Sequence, residues 1–200
     1  MKGILFLVVG PSGAGKDTLM DGARARLADD ARFVFARRAI TRPADAGGED
    51  HEAVDIAEFE RRREAGGFLA YWQAHDLSYG LPIALENQLA SGKNVLANVS
   101  RAVIPEILAR YSSTKVLEIT APPEILAARL GTRGRESEDD IKRRLARKAA
   151  PYPPEAEVLT IQNDSTTEAG IDRLHGVLLR SLPNTLRIRQ LPIDTWLSLI

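Results

Sequence analysis

The chain has 200 residues, of which 27 are basic and 27 acidic, and this balance excludes a general electrostatic affinity for nucleic acid or anionic membranes. Cysteine is absent, which excludes disulfides, thiolate metal sites and cysteine catalysis and is typical of a reducing compartment. The length and a hydrophobic fraction of 44% favour one globular domain with a core of its own.

Short apolar runs rich in β-branched residues alternate with helical patterns, which predicts an α/β domain with a mostly parallel sheet. The first run, Ile4 to Val9, is too short to span a bilayer and lacks a cleavage site. We therefore expect a buried strand there, in a cytoplasmic protein. A helix is predicted from Lys16 to about Ala28, a second apolar segment from Phe33 to Ile40, and a polar loop from Thr41 to His51.

The middle of the chain carries several helix-boundary signals. Asp55 is expected to cap the start of a helix that Gly66 ends. Residues 68–82 predict short strands with turns, after which Pro82 is expected to begin a helix that Gly92 ends.

The last part of the chain continues the alternation of strands and helices. Buried strands are predicted at Asn94 to Ser100 and Lys115 to Thr120, and Pro105 is expected to delay or bend the helix between them. The other predicted elements are a helix from Pro122, a helix capped by Ser137, a strand from Glu157 to Gln162 and a helix from about Thr166 to Leu182. No structure is predicted for the tail after Pro183.

A glycine-rich segment after the first strand has the pattern of a phosphate-binding loop. Its glycines allow a tight backbone whose amides point inward at a helix start, and Lys16 can reach the β- and γ-phosphates of a nucleotide. The alternative is a purely structural glycine turn. The predicted nucleotide-binding residues of this segment are Gly10, Pro11, Ser12, Gly13, Ala14, Gly15, Lys16, Asp17 and Thr18.

The segments GPSGAGK, ARLGTRGRESEDDIKRRLA and QND resemble the guanylate kinase family of phosphoryl-transfer enzymes. The resemblance covers about residues 3–182 and implies a doubly wound P-loop kinase domain over residues 1–182, with ATP and Mg²⁺ as cofactors. It also implies an acceptor-binding region at about 33–82 and a lid at about 129–148. It does not extend to the tail, residues 183–200, whose role is not predicted. An ordinary helix with a solvated charged face is the alternative to the lid.

Several site residues follow from the resemblance alone. Lys16, Arg133 and Arg144 are expected to be catalytic, and the roles of Arg129 and Arg135 in the lid are left open. Arg129 and Arg133 are also expected to contact ATP, and Asn163 to lie near its adenine.

The acceptor half of the family pattern is only partly present. Arg38 and Arg42 lie where family members hold the acceptor phosphate, which an arginine fork binds in a bidentate manner. The base-reading carboxylates are missing, and Asn98, Ser100 and Arg101 replace them after the mid-chain strand. A guanine site needs acceptors for the N1 and N2 hydrogens, so GMP is not the expected acceptor.

The segments RRAITRPADAGGEDHEAV, WQAHDLSYGLP and NVSRAV are similar to a narrower group, the ribose 1,5-bisphosphate phosphokinases of bacterial phosphonate degradation. This similarity implies phosphoryl transfer from ATP to ribose 1,5-bisphosphate, giving 5-phosphoribosyl 1-diphosphate. The implied partners are small molecules, with no nucleic acid or membrane, and the oligomeric state is not predicted. The expected substrate-binding residues are Arg38, Arg42, His51, His75, Tyr79, Asn98, Ser100 and Arg101.

Three alternatives stay open at this stage. The chain could be guanylate kinase or a related nucleoside-monophosphate kinase, or a non-catalytic guanylate-kinase-like module that binds phosphorylated partners. His51 and His75 could each be a solvated loop histidine instead of a substrate contact.

Position 17 departs from the phosphate-loop pattern, which has a hydroxyl there for Mg²⁺. Our hypothesis is that the metal-organising carboxylate has moved from the strand end, now Asn98, to Asp17, which would contact Mg²⁺ directly or through water. The alternative is that Asp17 only favours the first helical turn, worth about 0.3–1 kcal/mol. Thr18 would then meet the metal.

Overall fold

The computed structural model describes residues 2–46, 49–131 and 150–183. The predicted lid arginines Arg133, Arg135 and Arg144, the helix expected after Ser137 and the tail beyond Pro183 lie outside these ranges. The strands are β1 (Leu5–Val9), β2 (Phe33–Phe35), β3 (Arg38–Ile40), β4 (His51–Ala53), β5 (Phe68–Ala74), β6 (Leu77–Pro82), β7 (Asn94–Asn98), β8 (Thr114–Thr120) and β9 (Val158–Gln162). The helices are α1 (Lys16–Arg26), α2 (Ile56–Glu64), α3 (Leu85–Ala90), α4 (Ile104–Arg110), α5 (Pro123–Gly131) and α6 (Thr167–Ser181).

The central sheet has five strands in the order β2-β7-β1-β8-β9, and each neighbouring pair is parallel. Strand β1 is buried on both faces, as is typical of a parallel sheet covered by helices. Phe6 and Val8 pack in a core with α1 and α6, whereas Leu5 and Leu7 pack in a second core with α4. These two layers of helices confirm the predicted α/β fold and its mostly parallel sheet.

A second sheet of four strands lies beside the first, in the order β4-β3-β6-β5. Strand β3 pairs parallel with β4 and antiparallel with β6, and β5 and β6 form a hairpin. Helix α2 covers this sheet through Phe59, whose ring stacks on Phe68 at 4.7 Å between centroids. The predicted cap is confirmed, because the Asp55 side chain accepts a hydrogen bond from the Glu58 amide at 2.7 Å.

Two elements differ from the sequence prediction. The apolar segment from Phe33 to Ile40 is split, since β2 belongs to the central sheet and β3 to the second sheet. Pro82 does not begin a helix, because it ends β6 and the following Ile83 amide donates to the carbonyl of Gly67 at 2.9 Å. This bond closes the base of the hairpin, and a turn at residues 83–84 then leads into α3.

The predicted late start of the helix around Pro105 is confirmed. A 3₁₀ turn, Arg101–Val103, precedes α4, and Pro105 lies in the first turn of that helix. A proline is tolerated there because the first helical amides have no partner within the helix. Among the described residues, no helix combines the length and apolar character needed to cross a membrane.

The β5–β6 hairpin turns through two exposed residues, His75 and Asp76, whose φ angles are 53° and 59°. Positive φ at both positions matches a type I′ turn, in which Asn and Gly are the preferred residues. The native pair therefore stores backbone strain that a substitution can release.

Replacing His75 by Asn and Asp76 by Gly together should raise the free energy of unfolding by about 1 kcal/mol, because both new residues tolerate positive φ. Urea denaturation measures the change. His75→Ala is the control, since it removes the imidazole but keeps the strain, and it should bring no gain. An unchanged or lower stability of the double variant would contradict this account of the turn.

Candidate active site

The glycine-rich loop leaves β1 at the carboxyl edge of the central sheet and leads directly into α1. A Cβ atom at Gly10 would lie 2.0 Å from the carbonyl oxygen of Ile119, so only glycine fits this approach to β8. Gly15 precedes the helix with φ at 87°, in the left-handed region that favours glycine. It has no side chain to cap α1, so the first helical amides are left available to an anionic ligand at the loop.

The ammonium group of Lys16 lies over the same loop. Its Nζ donates to the carbonyl oxygens of Gly10 at 2.8 Å and Pro11 at 3.1 Å. These two carbonyls hold the cation at the loop, as expected for a lysine that binds a nucleotide phosphate.

Asn163 supports the loop from behind. Its side chain is buried, and Nδ2 donates to the carbonyl oxygen of Ala14 at 2.7 Å. Its backbone amide donates to the carbonyl of Thr120 at 2.7 Å, which fixes it to the end of β8. The contact seen in the structure is with the phosphate loop, and the position of Asn163 near the adenine stays a prediction. Arg129 lies in the last turn of α5, a helix that approaches Gly13 of the loop through Leu126 and Leu130.

Asp17 and Asn98 are in direct contact, although 81 residues separate them. Nδ2 of Asn98 donates to Oδ1 of Asp17 at 2.8 Å, which places the carboxylate at the carboxyl end of β7. The two positions that the relocation hypothesis links are therefore neighbours. Within the described ranges, no group of three or more His, Asp or Glu side chains could hold a metal ion by itself. Thr18 is exposed on α1.

Arg38 is buried and forms a fork with Glu49. Its Nε donates to Oε2 of Glu49 at 3.0 Å, and its Nη2 pairs with Oε1 of the same carboxylate. Its Nη1 donates to the carbonyl oxygen of Asn98 at 3.1 Å, which links the second sheet to the central sheet. The carboxylate of Glu49 thus occupies the guanidinium fork of Arg38, which was predicted to bind an acceptor phosphate.

Two aromatic rings fix Arg38 from its other side. Tyr79 and Trp72 stack with centroids 5.5 Å apart, and the Arg38 guanidinium carbon lies 5.1 Å and 5.7 Å from the respective ring centroids. Burial raises the pKa of the Tyr79 hydroxyl, so this group stays neutral at physiological pH. Tyr79 and Arg38, which were both predicted as site residues, are therefore in contact. Trp72 contacts Arg38 as well but was not predicted as a site residue.

The side chain of His51 contacts both ends of the loop that precedes β4. Its ring is buried, with Nδ1 at 3.0 Å from the carbonyl oxygen of Glu49 and Nε2 at 3.2 Å from that of Arg42. These contacts join the two ends of the loop. Arg42 also lines an open, mostly apolar cavity of about 690 Å³ between this loop and the start of α2.

Ser100 and Arg101 make structural contacts after β7. Ser100 caps the 3₁₀ turn with its side chain. Arg101 pairs with Glu118 at 2.5 Å, donates to the carbonyl of Ala150 at 3.2 Å, and lies 4.1 Å from the ring centroid of Tyr152. His75 is not part of this group, since it lies in the exposed hairpin turn.

A narrow cleft, which we call the acidic cleft, lies between α1 and the loop before β4. Four carboxylates and two guanidinium groups line it, from Asp17, Asp21, Glu49, Asp50, Arg24 and Arg38. The sequence analysis excluded guanine because mid-chain carboxylates are missing, yet other positions bring carboxylates here. The missing mid-chain carboxylates therefore do not by themselves exclude guanine. No local signal singled out Glu49, because its partner Arg38 lies across a loop.

Curated relatives match most of the chain. It is 46% identical over 185 residues to "Ribose 1,5-bisphosphate phosphokinase PhnN" of Brucella melitensis, covering 90% of this chain and 96% of that protein. The protein of the same name from Agrobacterium fabrum is 46% identical over 177 residues, and the match covers 88% of this chain and 97% of that protein. "Bifunctional ribose 1,5-bisphosphokinase-thymidine phosphorylase" of Azorhizobium caulinodans is 48% identical over 194 residues. The chain spans only 28% of the length of that bifunctional relative.

A solved structure with the same fold is guanylate kinase from Anaplasma phagocytophilum, with a TM-score of 0.67 and 19% identity. The match covers 93% of this chain and 89% of that one, and it confirms the guanylate-kinase-like fold. A comparison with protein-family models found no match.

Replacing Asn163 by Ala should lower both stability and ATP affinity. The lost buried hydrogen bond should cost about 1–3 kcal/mol in unfolding free energy, and the loosened loop should weaken ATP binding about tenfold. Urea denaturation and calorimetry measure the two effects.

Asn94→Ala is the matched control. Asn94 is also buried and its side-chain amide also bonds backbone groups, but it lies at the start of β7, away from the phosphate loop. It should lose similar stability and keep its ATP affinity. Equal loss of ATP affinity in both variants would show that Asn163 acts only through global stability.

Proposed function

The chain belongs to the ribose 1,5-bisphosphate phosphokinase family, and from that premise we propose that it transfers the γ-phosphoryl group of ATP to ribose 1,5-bisphosphate. The products are ADP and 5-phosphoribosyl 1-diphosphate. The observation that carries the proposal is 46% identity over 96% of a relative that bears this name. The phosphate loop, with Lys16 held over it, supports an active kinase over a phospho-binding module.

The reaction needs no general base. An oxygen of the 1-phosphate forms a bond to the γ-phosphorus, the bond from that phosphorus to the β–γ bridging oxygen breaks, and ADP leaves with the electron pair. The second pKa of a phosphate monoester is about 6, so the nucleophile is already ionised at neutral pH. Positioning and charge neutralisation then supply the catalysis.

The donor half of the site binds ATP through the loop amides and Lys16. Asn163 keeps the loop in shape from behind, through the carbonyl of Ala14. Arg129 is proposed to contact ATP at the edge of the loop. Arg133 and Arg144, which lie outside the described residues, remain the proposed lid arginines that neutralise the transferring phosphoryl group.

The acceptor half is proposed to use Arg42 as a phosphate ligand, beside the cavity that it lines. Arg38 shared that role in the sequence analysis, but Glu49 occupies its fork, so we assign Arg38 to positioning that carboxylate. Tyr79 and Asn98 are proposed to keep Arg38 in position, through the ring of Tyr79 and the backbone carbonyl of Asn98. His51, Ser100 and Arg101 shape the surrounding loop and turn, and His75 stays a candidate contact at the hairpin turn.

Mg²⁺ is proposed to enter with ATP. Such ions are usually held by one or two carboxylates together with substrate phosphates, and the exposed carboxylate of Asp17 fits that donor set. The ion would neutralise charge on the triphosphate. Asp17 is oriented for this role by the amide of Asn98.

The cellular setting is also a proposal. We place the reaction in the cytoplasm, where ATP is available, and assign its product to phosphonate degradation, as the sequence resemblance implies.

Phosphorus NMR of the protein with ATP and Mg²⁺ tests the acceptor. Ribose 1,5-bisphosphate should give the new signals of a diphosphate, whereas GMP in a separate tube should stay unchanged. Guanylate kinase is the second candidate because the acidic cleft offers carboxylates that could accept from guanine. Production of GDP, with no reaction of the sugar, would establish that alternative.

Replacing Asp17 by Ser should raise the Mg²⁺ concentration for half-maximal activity about tenfold, because a charged oxygen ligand becomes neutral. Titration of activity with Mg²⁺ at saturating ATP measures the change. Asp21→Ser is the matched control, since Asp21 lies one turn along α1 and pairs with Arg24 at 3.2 Å. An unchanged Mg²⁺ requirement in Asp17→Ser would reject the relocation hypothesis.

A further inference from the structure

The carboxylates of the acidic cleft accept hydrogen bonds, so a ligand in it has to offer hydrogen-bond donors. Ribose 1,5-bisphosphate carries two anionic phosphates, which carboxylates repel, and its hydrogen-bond donors are the 2- and 3-hydroxyls of the sugar. The cleft presents four carboxylates against two guanidinium groups. The part of the acceptor that fits against its carboxylates is therefore the diol, with the phosphates turned toward cationic groups.

The four carboxylates differ in how firmly they are held. Asp21 and Asp50 are each about 60% exposed and pair with exposed arginines on the surface. Asp17 is bonded to Asn98 and is assigned to the metal. Glu49 is 19% exposed, and its partner Arg38 is buried, so its carboxylate is the least mobile of the four.

The fork orients Glu49 for a second pair of bonds. A carboxylate has about four lone-pair sites, and the two donors from Arg38 use one on each oxygen. One site on each oxygen is left, at a spacing that suits two neighbouring hydroxyls. Arg38 cannot turn away easily, because it is fixed by the carbonyl of Asn98 and the rings of Tyr79 and Trp72.

We propose that Glu49 determines the specificity of the acceptor site by accepting hydrogen bonds from the 2- and 3-hydroxyls of the ribose. Arg38 is then a positioning residue that acts through Glu49. The inference rests on the proposed function, since it concerns the acceptor named there.

The consequence is discrimination between ribose and 2-deoxyribose. A hydrogen bond to a charged acceptor in a partly buried site corresponds to a factor of about 10 to 100 in kcat/KM. The wild-type chain should therefore use 2-deoxyribose 1,5-bisphosphate about 10 to 100 times less efficiently than ribose 1,5-bisphosphate. Glu49→Gln should lower kcat/KM for ribose 1,5-bisphosphate and reduce this ratio to about 3 or less.

The experiment measures kcat/KM for both sugars with the full chain, for the wild type, Glu49→Gln and a control. Glu52→Gln is the control, because Glu52 also pairs with an arginine, Arg62 at 2.8 Å, and does not line the acidic cleft. Its ratio should equal that of the wild type. Should Glu49→Gln fail to fold, Glu49→Asp gives the same readout, since the shorter carboxylate cannot span the fork and the diol together.

The ratio separates the possible results. A general defect of the variant would lower both activities equally and leave the ratio unchanged, which would overturn the role of Glu49. A wild type that uses both sugars equally well would also overturn it, with the proposed function intact. A wild type that phosphorylates neither sugar would overturn the proposed function and this inference together.

Discussion

The hydrogen bond from Asn163 to the carbonyl oxygen of Ala14 holds the phosphate loop in shape from inside the core and satisfies a backbone acceptor that would otherwise be buried without a partner. Two glycines make room for it. A Cβ atom at Gly15 would lie 2.5 Å from Nδ2 of Asn163, and one at Gly170 would lie 2.7 Å from its Oδ1. The amide is thus enclosed between the loop and α6, so the packing of that helix determines the shape of the loop.

The acceptor side depends on an unbroken series of polar contacts. Glu49 bonds Arg38, the Arg38 guanidinium bonds the carbonyl of Asn98, and the Asn98 amide bonds Asp17. This series crosses from the second sheet to the central sheet and ends at the helix that follows the phosphate loop. Since the sheets are separate hydrogen-bonded units, these contacts set the distance between the acceptor region and the proposed metal ligand.

Local signals in the sequence predicted the elements that local physics controls. The phosphate loop, the Asp55 cap and the strands at residues 5–9 and 114–120 all follow from short patterns. The separation of Phe33–Ile40 into two sheets could not be predicted locally, because Arg37 and Arg38 interrupt the apolar run without showing which sheet each part joins. The acidic cleft was missed for a related reason, since its carboxylates come from a helix and a distant loop and meet only through tertiary packing.

The contact between Asp17 and Asn98 restricts how this site could have evolved. A change at position 98 to aspartate alone would bring two carboxylates within 2.8 Å, where their repulsion favours protonation of one. A change of Asp17 to a hydroxyl alone would leave neither position with a negative charge. Each single change is thus expected to weaken the proposed metal site more than the two changes made together, so we expect the effects of substitutions at positions 17 and 98 to be non-additive.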